Sequence, residues 1–139
     1  MDGSGESMKK AAWFLPALGY YSLLFYLSSR SSFPVREPFS GFDKLVHGAE
    51  FAGLGILLTF GFAKIGRRRA RWTGAYSLGT GILLGLSDEL HQAFVPLRTP
   101  DLGDAAADAA GVALGVCLFF ILERWAKQKK AGPTPDDSE

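Results

Sequence analysis

The chain has a single cysteine, Cys117, among 139 residues, so it cannot form an internal disulfide. Cys117 lies in an apolar run and is read as a packing residue. An excess of charge is also missing. Fifteen Lys and Arg oppose 14 Asp and Glu, a formal net charge of +1, which gives no reason to propose a nucleic-acid surface. The basic stretch 64–71 would suggest one in isolation, but it sits between two apolar runs and reads better as a cytoplasmic loop. No small-x-small cleavage pattern follows the first apolar run, which argues for its retention over removal as a signal peptide. Most telling is where charge is absent. No Asp, Glu, Lys or Arg occurs in 11–29, 51–63, 72–87 or 109–122. An average composition of 47% hydrophobic and 21% charged conceals this segregation, which is a membrane signature.

What is present is four apolar runs, at about 11–28, 45–65, 72–94 and 102–125. A run of about 21 residues reaches roughly 30 Å as a helix, the thickness of the hydrocarbon core. The expected fold is therefore all-α, a polytopic membrane protein built as a four-transmembrane-helix bundle. Residues 9–126 form that domain, between disordered polar tails at 1–8 and 127–139, and Met8 offers an alternative start. The links after the second and third runs are short, so the runs they join should be antiparallel neighbours. The link near 29–42 is longer and carries Phe33, Pro34, Pro38, Phe39 and Gly41, with aromatics suited to an interface. Small residues four apart, at Gly48/Ala52, Gly81/Gly85 and Gly111/Gly115, suit close helix packing in lipid.

Four spans with a cytoplasmic N-terminus place eleven of the 15 Lys and Arg inside and only Arg30, Arg36, Lys44 and Arg98 outside. The positive-inside rule thus puts both termini in the cytoplasm, at the inner (cytoplasmic) cell membrane. Trp13, Trp72 and Trp125 then fall at the cytoplasmic interface, as an aromatic belt.

Polar residues interrupt three of the runs. Asp43, His47 and Glu50 share one helix face by spacing, with Lys44 beside them. Asp88, His91 and Gln92 share another, next to Glu89, and Asp101, Asp104 and Asp108 form a third stripe. In the four-span topology all three stripes lie on the outer side. Glu50, Asp88 and Asp108 each sit roughly 9–10 Å below a helix end at 1.5 Å per residue. A charge facing lipid would cost about 2.5–3.5 kcal/mol, so these groups should face one another or a wet cavity. Asp43 and Asp101 lie near helix N-termini and read as caps, and Thr99-Pro100 reads as a helix start with proline in the first turn. Asp88 and Glu89 lie near a helix C-terminus, where the dipole disfavours negative charge, so they need another partner.

The segment Asp-Lys-Leu-Val-His-Gly-Ala-Glu at 43–50 resembles the opening block of the VanZ-like membrane protein family. Ser-Asp-Glu-Leu-His-Gln-Ala-Phe-Val-Pro at 87–96 resembles its central block, and Arg98, Asp104, Asp108 and Gly111 fit the spacing of its closing block. The resemblance runs from about 42 to 115. Asp43, Lys44, His47, Glu50, Asp88, Glu89, Gln92, Arg98, Asp104 and Asp108 fall on its motif positions. Two departures stand out: Leu97 where glycine is common, and Asp108 where Asn is frequent, so the Asp108 charge need not be essential. The resemblance implies bacterial cell-envelope biology and a link to teicoplanin, a glycopeptide antibiotic, more firmly than it implies a reaction.

Candidate catalytic groups are Asp88, Glu89, His91, His47 and Glu50. Lys44, Arg98, Gln92, Asp104, Asp108 and Asp43 are candidates for binding substrate, the two cations by holding an anionic head group. No cofactor is implied and no metal site is asserted. His47 with Glu50, and Asp88 with His91, have a spacing that a divalent cation could use, but it is common by chance. The expected partners are membrane lipid and a lipid-linked or lipopeptide-like small molecule. The alternatives left open are a non-catalytic binder of such a molecule and a polar network that only locks helices together. A transporter fits less well, because the chain is small for alternating access and the cluster is off the midplane.

Overall fold

A computed structural model describes residues 3–30, 39–66, 70–96 and 98–131. Expectations for Phe33, Pro34, Arg36, Pro38, Leu97 and the stretches 67–69 and 132–139 fall outside the described residues. The described residues form five helices: α1 (Gly3–Ala12), α2 (Leu15–Ser28), α3 (Phe42–Ile65), α4 (Ala70–Gln92) and α5 (Leu102–Ala131).

Three boundaries differ from expectation. The polar stretch before residue 9 is helical from Gly3, where Glu6 and Lys10 pair one turn apart at 2.7 Å. The first apolar run is not one straight helix. It breaks at Trp13–Phe14, with Pro16 in the first turn of α2, and the two helices meet at 48°. At the other end α5 continues to Ala131, past the expected start of a tail at 127. Glu123 and Lys127 pair at 2.9 Å, and the Lys129 ammonium stands 3.8 Å over the Trp125 ring.

α3 and α5 run parallel and in register. An added Cβ on Gly111 would strike the Gly48 carbonyl, and one on Gly115 would strike that of Ala52. One on Gly55 would come 2.6 Å from the Val112 carbonyl. These contacts are the close approach that the small residues foretold. α4 lies antiparallel to both, with Gly81 against Val112 and Gly85 against Asp108. α2 packs antiparallel to α3, Tyr20 on Gly53 and Phe14 on Gly61. Ala17, Leu24, Phe51, Leu54, Leu58 and Val112 form the buried apolar centre.

Two helices, Phe42–Ile65 and Leu102–Lys130, are long and apolar enough to cross a membrane, and the bent pair of α1 and α2 makes a third if it is one span. α4 does not reach that apolarity: Gly, Ser and Thr are frequent through Thr73–Ser87, and its last turn carries Asp88, Glu89, His91 and Gln92. The large exposed apolar side chains on these helices, Leu83, Leu114, Ile121 and Leu122 among them, suit lipid better than water.

Candidate functional site

The parallel register of α3 and α5, with α4 reversed, brings the three polar stripes to one end of the bundle. Lys44 stands at the rim. Its ammonium donates to Asp101 Oδ2 at 2.7 Å, Asp104 Oδ1 at 2.9 Å and Asp43 Oδ2 at 3.2 Å. Three carboxylates thus hold one cation, leaving Lys44 little capacity to grip an external anion.

Asp101 caps α5: the Gly103 N–H donates to its Oδ1 at 2.7 Å. Its helix begins at Leu102, so Pro100 precedes the cap and is not in the first turn, contrary to the sequence reading. At α3 the cap position is Gly41, with φ 85° and no side-chain bond; Asp43 lies inside the first turn and pairs with Lys44 instead. The Lys44 ammonium and then the Gly103 N–H hold the Asp101 carboxyl below the ordinary aspartate value.

Deeper, His47 Nδ1 lies 3.1 Å from Asp108 Oδ1, and Asp108 is wholly buried. Asp88 Oδ2 accepts from Ser28 Oγ and Gln92 Nε2, each at 2.9 Å. Glu89 Oε2 accepts the Asp101 N–H at 3.0 Å, tying the end of α4 to the start of α5. These are the partners that the C-terminal position of Asp88 and Glu89 required. Glu50 is half-buried, within electrostatic reach of His47, Asp108 and Asp88. Among the described residues, three buried carboxylate oxygens have no hydrogen-bond partner: Asp88 Oδ1, Glu89 Oε1 and Asp108 Oδ2.

His91 stands apart from this group. Its ring stacks on Phe25 with centroids 4.1 Å apart, and Nε2 lies 2.9 Å from Ser29 Oγ, on the exposed side. Arg98 reaches the Arg30 carbonyl through Nε and Nη2, each at 3.4 Å. It thus closes over the end of α2.

Sequence reasoning missed the contribution of α2. Ser28, Ser29 and Phe25 complete the surroundings of Asp88 and His91, and Tyr20 donates to the Glu50 carbonyl at 3.1 Å. A hint existed: Ser28 and Ser29 are the polar end of an otherwise apolar run. A cavity also lies elsewhere. It is an apolar groove of about 490 Å³ between α4 and α5, lined by Gly74, Leu78, Val116, Cys117 and Phe120. It holds none of the polar stripes and has the surface of a lipid-facing seam.

No curated protein and no solved structure matches the chain. The sequence model of the VanZ/LLP1 family matches residues 2–123, taking in the helices that carry every one of these polar groups, and the chain belongs to that family.

Proposed function

We propose that this chain is an integral membrane protein of the bacterial cell envelope, linked to glycopeptide (teicoplanin) resistance, whose polar end binds and acts on an amphipathic or lipid-linked molecule in the outer leaflet. The bent α1–α2 pair, α3, α4 and α5 cross the inner membrane with both termini in the cytoplasm. Support for α4 as the fourth crossing comes from its length of 23 residues, roughly 34 Å at 1.5 Å per residue, and from its polar residues being turned to neighbours. Support for the orientation comes from the end opposite the cluster. There Lys64 lies over Trp13, Arg71 over Trp72 and Lys129 over Trp125, the arrangement of an interfacial belt beside basic loops.

The observation that carries the reading is that one end of the bundle holds buried, unpartnered carboxylate oxygens on Asp88, Glu89 and Asp108 and, apart from them on its exposed side, an imidazole–hydroxyl pair, His91 and Ser29. Buried acceptors left over are costly unless a ligand or proton meets them. In the catalytic version the Ser29 O–H turns from the Phe25 carbonyl to His91 Nε2, and His91 takes that proton as Ser29 acts. Asp88, held by Ser28 and Gln92, keeps the end of α4 in place.

The test is complementation under teicoplanin and other envelope stress in a strain lacking the gene. Wild type restores growth, and Asp88→Asn at equal protein level does not. Full activity with Asp88→Asn and His91→Gln combined removes proton chemistry and leaves a binder. Loss of abundance in those variants, in place of a folded but inactive protein, leaves only a structural lock.

A further inference from the structure

We propose that His47, Glu89 and Asp104 form a site for a first-row divalent cation of the zinc type, a reading that rests on the polar-end pocket described above and names an occupant for it. One ligand-capable atom from each of these three residues lies within 4.8 Å of the other two. They come from α3, α4 and α5, so the site exists only in the assembled bundle. One imidazole with two carboxylates is a donor set that suits zinc or manganese better than calcium or magnesium. Ligands bound to zinc stand about 2.0–2.2 Å from it. Three donors at that distance from one ion lie within about 4.4 Å of one another, and the cluster's span of at most 4.8 Å is close to that.

Proximity of acids alone would not make a site. The second observation is that Glu89 is only 7% exposed and its Oε1 has no partner, although Oε2 is used by the Asp101 N–H. A buried carboxylate oxygen left open beside a histidine is a waiting donor. A third comes from Asp108. Its Oδ1 takes the Nδ1 edge of His47, leaving Nε2 as the coordinating nitrogen, the carboxylate–histidine arrangement that supports metal ligands.

Charge balance points the same way. Lys44 is the cation that meets Asp43, Asp101 and Asp104 at the rim, and no basic side chain pairs with Asp88, Glu89 or Glu50 among the described residues. Lys44 Nζ also holds Asp104 Oδ1, so cation and ammonium share that carboxylate. Two positive charges in the cluster would offset what Lys44 cannot reach, in a place where lipid does not solvate ions.

The experiment uses full-length protein purified in detergent and stripped with chelator. Zn²⁺ alone is titrated, with Mg²⁺ as comparison, and read by elemental analysis after desalting and by thermal melting. The expected result is near-stoichiometric zinc and a melting temperature raised by several degrees, with no response to Mg²⁺. His47→Gln, Glu89→Gln and Asp104→Asn each weaken zinc binding by about tenfold or more, while Glu123→Gln at the far end of α5 leaves it unchanged. Wild-type protein that retains no zinc and does not shift overturns the site, whatever the variants do. Zinc binding insensitive to those three changes overturns it too, because the ion is then elsewhere. If His47→Gln fails to fold, the two carboxylate variants carry the comparison. The envelope function is judged separately: loss of complementation by Asp88→Asn with no zinc bound removes the cation and keeps that function.

Discussion

The Gly48 carbonyl of α3 lies where a side chain on Gly111 of α5 would have to be. The two backbones touch there, and the contact fixes the register that sets His47 against Asp108 and Lys44 against Asp104 one turn nearer the rim. Replacing Gly111 by Val forces α3 and α5 apart. The expected cost is about 1–3 kcal/mol from overpacking, more if the backbones cannot move. It is measured as a fall in melting temperature in detergent, and unchanged melting would show that the helices do not meet this closely.

The buried His47–Asp108 contact needs an acceptor more than a charge. Asp108→Asn keeps an oxygen for the ring nitrogen, and the variant should fold and accumulate as wild type does. Asp108→Leu leaves His47 without its partner in a buried place, with an expected loss of about 1–3 kcal/mol. Melting of both variants in parallel checks this; equal stability of Leu and wild type would mean that the contact contributes nothing.

Asp101 gives a pH dependence with a definite sign. Lys44 and the Gly103 N–H hold its carboxyl below the ordinary value of 3.8. A lowered folded-state value means that its contribution is present above the unfolded value and is lost as pH falls through the folded one. Asp101→Asn keeps the cap oxygen and removes the charge. The stability gap between wild type and Asp101→Asn should be constant above about pH 5 and close on acidification below about pH 4. The gap is expected to be small, because the carboxylate is exposed and solvent screens it. A gap that widens on acidification would contradict the assignment.

The pair of Ser29 and His91 separates catalysis from binding. Ser29→Ala removes the hydroxyl and little else, since its second contact is with the Phe25 carbonyl of its own helix. If His91 works through Ser29, Ser29→Ala and His91→Gln each abolish complementation at normal abundance, and the double variant is no worse than either. Complementation by Ser29→Ala at wild-type level would leave His91 as a packing residue on Phe25.

Much of the helical plan was legible because lipid demands a long charge-free run, and such runs are read directly from residue order. The meeting of three polar stripes was legible for the same reason: short links force antiparallel neighbours, and helical spacing sets depth. Where α1 and α2 bend was not. A proline and two aromatics at 13–16 fit a span as well as a break, and the choice is made by packing of Phe14 on Gly61. Which acids Lys44 meets was also out of reach, since residue order shows only a cation beside an excess of carboxylates and the assembled helices deliver three aspartates to it.

Residue order by itself determined that the chain is helical, that its apolar segments suit lipid, and that its acids and imidazoles gather at one end. The tertiary structure alone decided which acid meets which base and which oxygens are left over, and it supplied the serines of α2. The physical reason is that helix periodicity acts within a segment, whereas hydrogen bonding between segments depends on register and rotation, which backbone contacts at Gly48, Gly111 and Gly115 set in three dimensions.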